Sequence, residues 1–129
     1  DSKNIVYRSL WERKFMNYCD LNENILEWAS EEFWIPYKDP TTNRVRRYFP
    51  DFFIKYKDKD SNIRRSVIEV KPMRETKEPK ATKGKSRKTL INESMTYAKN
   101  QAKWKAAREF CDDRKLEFKI MTEKELGIR

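Results

Sequence analysis

Histidine is absent from this chain of 129 residues, and its absence excludes several classes of enzyme. Without histidine there is no Ser-His or Cys-His nucleophilic catalysis, no nuclease with a histidine metal ligand and almost no route to a zinc hydrolase. An enzyme of this composition has to work with carboxylates, lysines and a hard ion that prefers oxygen ligands, such as Mg²⁺ or Mn²⁺.

Cysteine is scarce as well. Cys19 and Cys111 are the two cysteines of the chain, and they lie in separate helical patterns without CxxC spacing. The sequence therefore predicts neither a zinc site nor a disulfide framework. We expect buried free thiols in a reducing, intracellular compartment.

Long apolar runs are missing too. No segment approaches the roughly 20 residues of a membrane span, and no signal peptide precedes the first helix-like stretch. We therefore expect a soluble protein. Because the chain starts with Asp1 instead of methionine, a targeting segment upstream remains an open alternative.

The chain is rich in aromatic residues and in positive charge. Four Trp, six Tyr, seven Phe and a hydrophobic content of 37% predict one packed domain spanning residues 1–129. The net charge of +9 and the isoelectric point near 9.6 favour a polyanionic partner, either nucleic acid or an anionic membrane surface.

Apolar residues of helical spacing mark the start of the chain. Residues 10–20 have the pattern of an amphipathic helix, and Ser9 followed by Glu12 predicts a capping box at its start. A second, weaker helical pattern covers Ile25 to Trp28.

Strand patterns follow in the middle of the chain. Phe33 to Tyr37 predict a strand, which Pro36 assigns to a sheet edge. The remaining predictions are a turn at Asp39 to Asn43, a strand at Asp51 to Lys57, a turn at Lys57 to Asn62 and a returning strand at Ile63 to Lys71, the two strands forming a hairpin.

A basic segment interrupts this pattern. Residues 71–88, called the basic loop below, carry eight Lys or Arg and two Glu, a net +6 of the chain's +9. With two prolines, a glycine and little apolar content, we expect a flexible loop at about 72–89. Its charge is that of a DNA-contacting segment, although a solvated linker is the alternative.

The chain closes with helical and strand patterns. They predict a long helix from Ile91 to Asp113, a strand from Leu116 to Met121, and a capping box of Thr122 and Glu125 that starts a short helix. The predicted fold class is α/β, with a mixed β-sheet flanked by helices.

Asp51, Glu69 and Lys71 are three of the charged residues inside the strands of the predicted hairpin. Glu69 and Lys71 point to the same face of their strand because side chains alternate, and Asp51 opens the partner strand. Converging carboxylates repel unless a cation lies between them, and Mg²⁺ prefers such oxygen ligands. An exposed ion pair between Glu69 and a cross-strand neighbour is the structural alternative.

Pro50-Asp51 followed by Glu69-Val70-Lys71 matches the PD-(D/E)XK signature of restriction-endonuclease-like nucleases. Two later segments, Glu75-Thr76-Lys77 and Glu78-Pro79-Lys80, also match its second half. Only Glu69 is flanked by strand residues, so it is the one that can be held rigidly beside Asp51.

Several longer segments resemble one family. "YRSLWERKFMNYCD", "RYFPDFFIKY", "VIEVKP" and "KWKAAREFCDDRKLEFKIMTEKELG" are similar to the head completion nucleases of tailed bacteriophages, which in turn resemble endonuclease subunits that cut transposon ends. The resemblance implies a restriction-endonuclease-like core, Mg²⁺- or Mn²⁺-dependent cleavage of DNA, and a place in head assembly. It implies DNA and phage head or neck proteins as partners, no membrane, and a location in the virion or the host cytoplasm.

The resemblance also assigns roles by position. Asp51 and Glu69 become metal ligands with the main-chain carbonyl of Val70, and Lys71 acts on the attacking water. Glu12 is the position of a further ligand from the first helix, and Gln101 that of a helix residue completing the site.

Phosphate contacts are expected from the basic loop and the long helix. The candidates are Arg74, Lys77, Lys80, Lys83, Lys85, Arg87, Lys88, Gln101, Lys103 and Lys105. Low sequence selectivity follows, because these side chains contact the backbone of DNA. Cutting both strands of a duplex favours a homodimer or two sequential nicks. The alternatives are a non-catalytic DNA-binding component of the head, a transposition-type endonuclease subunit, or an RNA substrate.

Overall fold

The computed structural model describes the backbone of residues 2–30 and 33–127, and the side chains of residues 10–30 and 33–127. In chain order the elements are α1 (Ser2–Leu21), β1 (Ile25–Ser30), β2 (Ile35–Asp39), β3 (Arg44–Tyr48), β4 (Phe52–Lys57), β5 (Ile63–Val70), a 3₁₀ turn (Met73–Thr76), α2 (Arg87–Asp113), β6 (Glu117–Met121) and α3 (Glu123–Leu126). Within the described part of the chain, no helix combines the length and apolar character needed to span a membrane.

Four strands form the main sheet, in the order β1-β4-β5-β6. β4 pairs antiparallel with both β1 and β5, whereas β6 runs parallel to β5. A parallel neighbour requires a crossover connection, and the basic loop with α2 provides it. The α/β class with a mixed sheet and flanking helices is confirmed.

A helix covers each face of this sheet. Phe15 and Cys19 of α1 pack with β4 and β5 side chains that include Phe52 and Ile68. On the other face Trp104 of α2 belongs to a second apolar cluster. Because side chains alternate along β5, Ile68 faces α1 and the next residue, Glu69, faces α2.

β2 and β3 form a separate two-stranded sheet, called the β2–β3 hairpin below. Ile35 pairs with Tyr48, and both side chains pack against Trp104 in the second cluster. The turn includes Asn43 with a φ of 61°, a left-handed conformation that asparagine tolerates better than most residues. The hairpin therefore extends the core on the α2 side and carries the chain to Asp51.

Two predictions about the first 30 residues are wrong. α1 begins at Ser2, so Ser9, whose side chain lies outside the described residues, is inside the helix and does not cap it with Glu12. Residues 25–28 belong to strand β1, where Trp28 pairs with Ile54. A short apolar run does not distinguish helix from strand by itself, and here pairing with β4 decides.

Most of the remaining element predictions are close to the structure, but α2 begins at Arg87 with Ser86 as its N-cap, so residues 87–89 of the predicted loop are helical. The β4–β5 hairpin is confirmed, as is the end of α2 at Asp113. The strand predicted from Phe33 is β2 and begins two residues later. Thr122 forms the predicted capping box of α3.

The two cysteines are free and buried, as predicted. Burial raises the pKa of Cys19 to about 12 and that of Cys111 to about 11. Both thiols are therefore protonated near neutral pH, which makes them poor nucleophiles and metal ligands.

Candidate active site

Two carboxyl groups meet at one end of the central strands. Phe52 pairs with Ile68, so the adjacent residues Asp51 and Glu69 face each other across the β4–β5 pair. Asp51 is 7% exposed and Glu69 is 4% exposed. The Oδ2 atom of Asp51 accepts a hydrogen bond of 2.8 Å from the N–H of Val70, which anchors Asp51 to β5.

Burial is the main cause of the raised pKa of Glu69, followed by a hydrogen bond to Asp51 and repulsion by its charge. Tyr48 and Lys71 act in the opposite direction. The hydrogen bond requires a proton on one of the two carboxyl groups. Ionising both groups brings two buried negative charges together, and a divalent cation offsets that repulsion. Such a pair of oxygen donors fits Mg²⁺ or Mn²⁺, which are bound in many enzymes through one or two carboxylates.

Two aromatic donors contact Glu69 from the α2 side, and the sequence did not predict either. The hydroxyl of Tyr48 donates a hydrogen bond to Oε2 of Glu69, and Nε1 of Trp104 donates to the same oxygen at 3.5 Å. Burial and the charge of Glu69 raise the pKa of Tyr48, so its phenol keeps the donated proton. Glu69 is thus held on one oxygen by neutral donors.

Lys71 follows β5 directly and is half-buried. Its backbone N–H donates a hydrogen bond of 2.9 Å to the carbonyl of Met121, so β6 fixes its position. Its positive charge opposes the rise in the pKa of Glu69. The structure therefore brings Asp51, Glu69 and Lys71 together; the ligand role of the Val70 carbonyl stays a prediction.

Glu12 comes from α1, which covers the opposite face of the sheet from Trp104. Its neighbour Trp11 packs on the apolar cluster under α1, and Glu12 itself is half-buried. Among the side chains of residues 10–30 and 33–127, no three or more Cys, Asp or Glu are grouped so that they could hold a metal ion. The ligand role of Glu12 stays a prediction.

The predicted phosphate-binding residues occupy different surroundings. The ammonium of Lys103 lies 5.9 Å from the ring centroid of Tyr48, close to the acid pair, and Gln101 is half-buried in the same helix. Lys85 is engaged within the protein, with Glu93 at 3.0 Å and the carbonyl of Lys80 at 2.8 Å. The other candidates are exposed: Arg74, Lys77, Lys80, Lys83, Arg87, Lys88 and Lys105.

Known proteins resemble the chain over most of its length. A family model described as TnsA-like endonuclease N terminal matches residues 22–123. The chain is 38% identical over 126 residues to the head completion nuclease of Enterobacteria phage T4, which covers 95% of this chain and 81% of that protein. No solved structure matches the chain. The family match contains Asp51, Glu69 and Lys71, and it begins after Glu12.

Proposed function

Because the chain belongs to the family of TnsA-like endonucleases and is a DNA-cleaving hydrolase, we propose that it uses Mg²⁺ or Mn²⁺, held by Asp51 and Glu69. The observation that carries this proposal is the meeting of two buried, mutually repelling carboxylates beside a lysine. The similarity to a phage head completion nuclease supports a role in completing phage heads, with head or neck proteins as partners.

The residues of the site have separate roles in hydrolysis. Asp51 and Glu69 provide oxygen ligands whose positions are set by the N–H of Val70 and the hydroxyl of Tyr48. When bound, a divalent ion would offset the negative charge of the phosphate and make water a better nucleophile.

Lys71 supplies a cation at the edge of this acid pair. Its ammonium orients the attacking water and offsets the negative charge that builds up on the phosphate oxygens. The attacking water gives up a proton to solvent as its oxygen forms a bond to phosphorus, the ester bond on the opposite side breaks, and the leaving oxygen takes up a proton from solvent. The backbone bond to Met121 keeps Lys71 in position for this step.

The proposal is tested by incubating plasmid and linear DNA with the protein in Mg²⁺, in Mn²⁺ and in EDTA. We expect metal-dependent nicking or trimming, which Glu69→Gln abolishes and Lys71→Ala lowers by about 10²- to 10⁴-fold. DNA binding should be nearly unchanged in both variants.

Matched controls are Glu27→Gln and Lys59→Ala, which change exposed residues outside the site and should cleave normally. Full activity of Glu69→Gln or Lys71→Ala contradicts the site assignment. Salt-sensitive DNA binding without cleavage by the unaltered protein favours instead a non-catalytic component of the head.

A further inference from the structure

The outer face of the β2–β3 hairpin carries large apolar side chains in contact with solvent. Ile35 and Tyr48 point into the core, and because side chains alternate along a strand, their neighbours in the chain point outward. The exposed fraction is 45% for Trp34, 73% for Val45 and 51% for Phe49. Trp34 directly precedes β2 and Phe49 directly follows β3, so the two exposed aromatic rings lie at the same end of this small sheet, and grouped exposed apolar side chains mark interaction sites.

The two rings are neighbours across the hairpin. Since Ile35 pairs with Tyr48, Trp34 and Phe49 are the next residues on the two chain segments and project from the same face. The guanidinium of Arg47 lies 4.8 Å from the ring centroid of Trp34. The hairpin therefore carries an aromatic surface with the Arg47 guanidinium over one face of the Trp34 ring.

This surface adjoins the acid pair. Phe49 stands between Tyr48, which donates to Glu69, and Pro50-Asp51. Because consecutive Cα atoms are about 3.8 Å apart, the Cα of Phe49 lies within about 7.6 Å of the Cα of Asp51. The aromatic surface and the acid pair are therefore two residues apart in the chain, with the Phe49 ring on the outer face and the Tyr48 hydroxyl on the inner face.

The charge of the hairpin suits a polyanion. Between residues 33 and 49, all described, the cations are Lys38, Arg44, Arg46 and Arg47, whereas the acid is Asp39. Asp39 is fully buried and pairs with Arg46 at 3.0 Å. The solvent-facing side of this segment therefore presents positive charge and aromatic rings without an exposed carboxylate.

We infer that this face binds unpaired nucleotides of DNA beside the cleavage site, with Trp34 and Phe49 stacking on bases and Arg47 contacting phosphate. Basic grooves with aromatic platforms bind single strands in this way. The bases inside a duplex are already stacked and paired, so the rings reach them only at a frayed end, an overhang or a branch. The inference rests on the proposed function and specifies its substrate as DNA with unpaired nucleotides.

The first experiment separates base stacking from charge. Binding is measured in EDTA to single-stranded oligothymidylate of about twelve nucleotides and to an abasic strand of the same length and phosphate charge. The unaltered protein should bind the base-bearing strand more tightly by about fivefold or more. In the double variant Trp34→Ala/Phe49→Ala, the ratio of the affinity for the base-bearing strand to the affinity for the abasic strand should fall to near one.

Two further variants control for folding and for general loss of apolar surface. Leu26→Ala, which removes an exposed leucine of β1, should keep the ratio, and the conservative pair Trp34→Phe/Phe49→Tyr should restore it. Retention of the ratio in Trp34→Ala/Phe49→Ala overturns the inference, as does equal binding of both strands by the unaltered protein. Tighter binding of oligouridylate than of oligothymidylate overturns the assignment to DNA.

Plasmid cleavage in Mg²⁺, measured on the same proteins, keeps this inference distinct from the proposed function. Metal-dependent cleavage by a protein that binds the base-bearing and abasic strands equally overturns this inference and leaves the proposed function standing. Base preference that depends on Trp34 and Phe49, in a protein that cleaves no DNA, supports the surface and overturns the proposed function.

Discussion

Tyr48 connects the β2–β3 hairpin to the acid pair through one hydrogen bond to Glu69. The bond opposes the rise in the pKa of Glu69 that burial and Asp51 produce, so it favours the ionised carboxylate, the form that binds a metal. It also fixes Oε2 of Glu69 in position. Groups that orient ligands in this way commonly change metal affinity about 10- to 100-fold when they are removed.

Tyr48→Phe should therefore weaken Mn²⁺ binding by about 10- to 100-fold, because the ring still fills the core while the donor is lost. Calorimetric titration measures the affinity, and the rise in unfolding temperature on adding Mn²⁺ gives a second readout. Tyr18→Phe, at an exposed position of α1, is the control. Equal affinity in Tyr48→Phe and the unaltered protein would show that the hydroxyl is only structural.

At the scale of residues, the local sequence pattern identifies the two acids of the site, but it does not identify the residues that hold them by hydrogen bonds. Asp51, Glu69 and Lys71 stand out because charges interrupt apolar strands within a short stretch of chain. Tyr48 and Trp104 are 21 and 35 residues from Glu69, and aromatic residues on a core-facing strand or helix are ordinary. Only the folded chain shows that their polar atoms reach the carboxylate.

At the scale of elements, Asp39 holds the β2–β3 hairpin in shape. Its Oδ1 accepts hydrogen bonds from the N–H of Thr41 at 2.8 Å and from the hydroxyl of Thr41 at 2.7 Å. Arg46 of β3 lies 3.0 Å away and Lys99 of α2 lies 3.9 Å away. Burial alone would raise the pKa of Asp39, but Thr41, Lys99 and Arg46 together lower it below its ordinary value.

Asp39→Asn should lower the free energy of unfolding at neutral pH, with a deficit that shrinks in acid. A depressed pKa stabilises the folded state at pH values above the unfolded-state pKa of about 3.9. That stabilisation is lost as pH falls through the lower pKa of the folded state. Urea unfolding of both proteins from pH 7 to pH 3 measures the difference.

Asp60→Asn, an exposed position in the β4–β5 turn, is the matched control and should cost little at any pH. A deficit of Asp39→Asn that is equally large at pH 3 and pH 7 contradicts the ionic role of Asp39.

Helices and strands could be predicted from the sequence where a single periodicity of apolar residues extends over many residues. α2 is 27 residues long, and its helical period is unambiguous. β1 has six residues, and its strand character depends on pairing with β4, which the sequence of residues 25–30 does not contain. The parallel direction of β6 likewise depends on how the crossover through α2 returns the chain to β5.

At the scale of the whole molecule, charge is unevenly distributed. The basic loop carries a net +6 of the chain's +9 and begins at Lys71, inside the site. Its N-terminal part is ordered by the 3₁₀ turn, where the N–H of Met73 donates to Glu123 at 2.8 Å. We propose that the exposed cations after this turn bind DNA phosphates on either side of the cleavage point.

Replacing three exposed loop lysines together, Lys77→Ala/Lys80→Ala/Lys83→Ala, should weaken duplex DNA binding and flatten its salt dependence. Each lost phosphate contact reduces the slope of log affinity against log salt by about 0.9, so the largest expected change is about 2.7. Fluorescence anisotropy at several salt concentrations measures the slope.

The control is the triple variant Lys57→Ala/Lys59→Ala/Lys115→Ala, which replaces exposed lysines outside the loop. It removes the same charge and should retain most of the slope of log affinity against log salt. An unchanged slope in the loop variant counts against phosphate binding by the loop.

From the parallel pairing of β6 with β5 we also expect a particular order of folding. Strands β1, β4 and β5 pair within residues 25–70. Ser66 of β5, in contrast, pairs with Glu117 of β6, which follows the whole of α2 in the chain. Contacts this far apart in sequence form late, since a long loop must close first. Trp104 and Met121, which fix Glu69 and Lys71, arrive with that last step. Tyr48 and Val70, which contact the two acids, precede α2 in the chain, so we expect these contacts to form first. Cleavage activity is then expected only after β6 has docked and Trp104 and Met121 have completed the surroundings of Glu69 and Lys71.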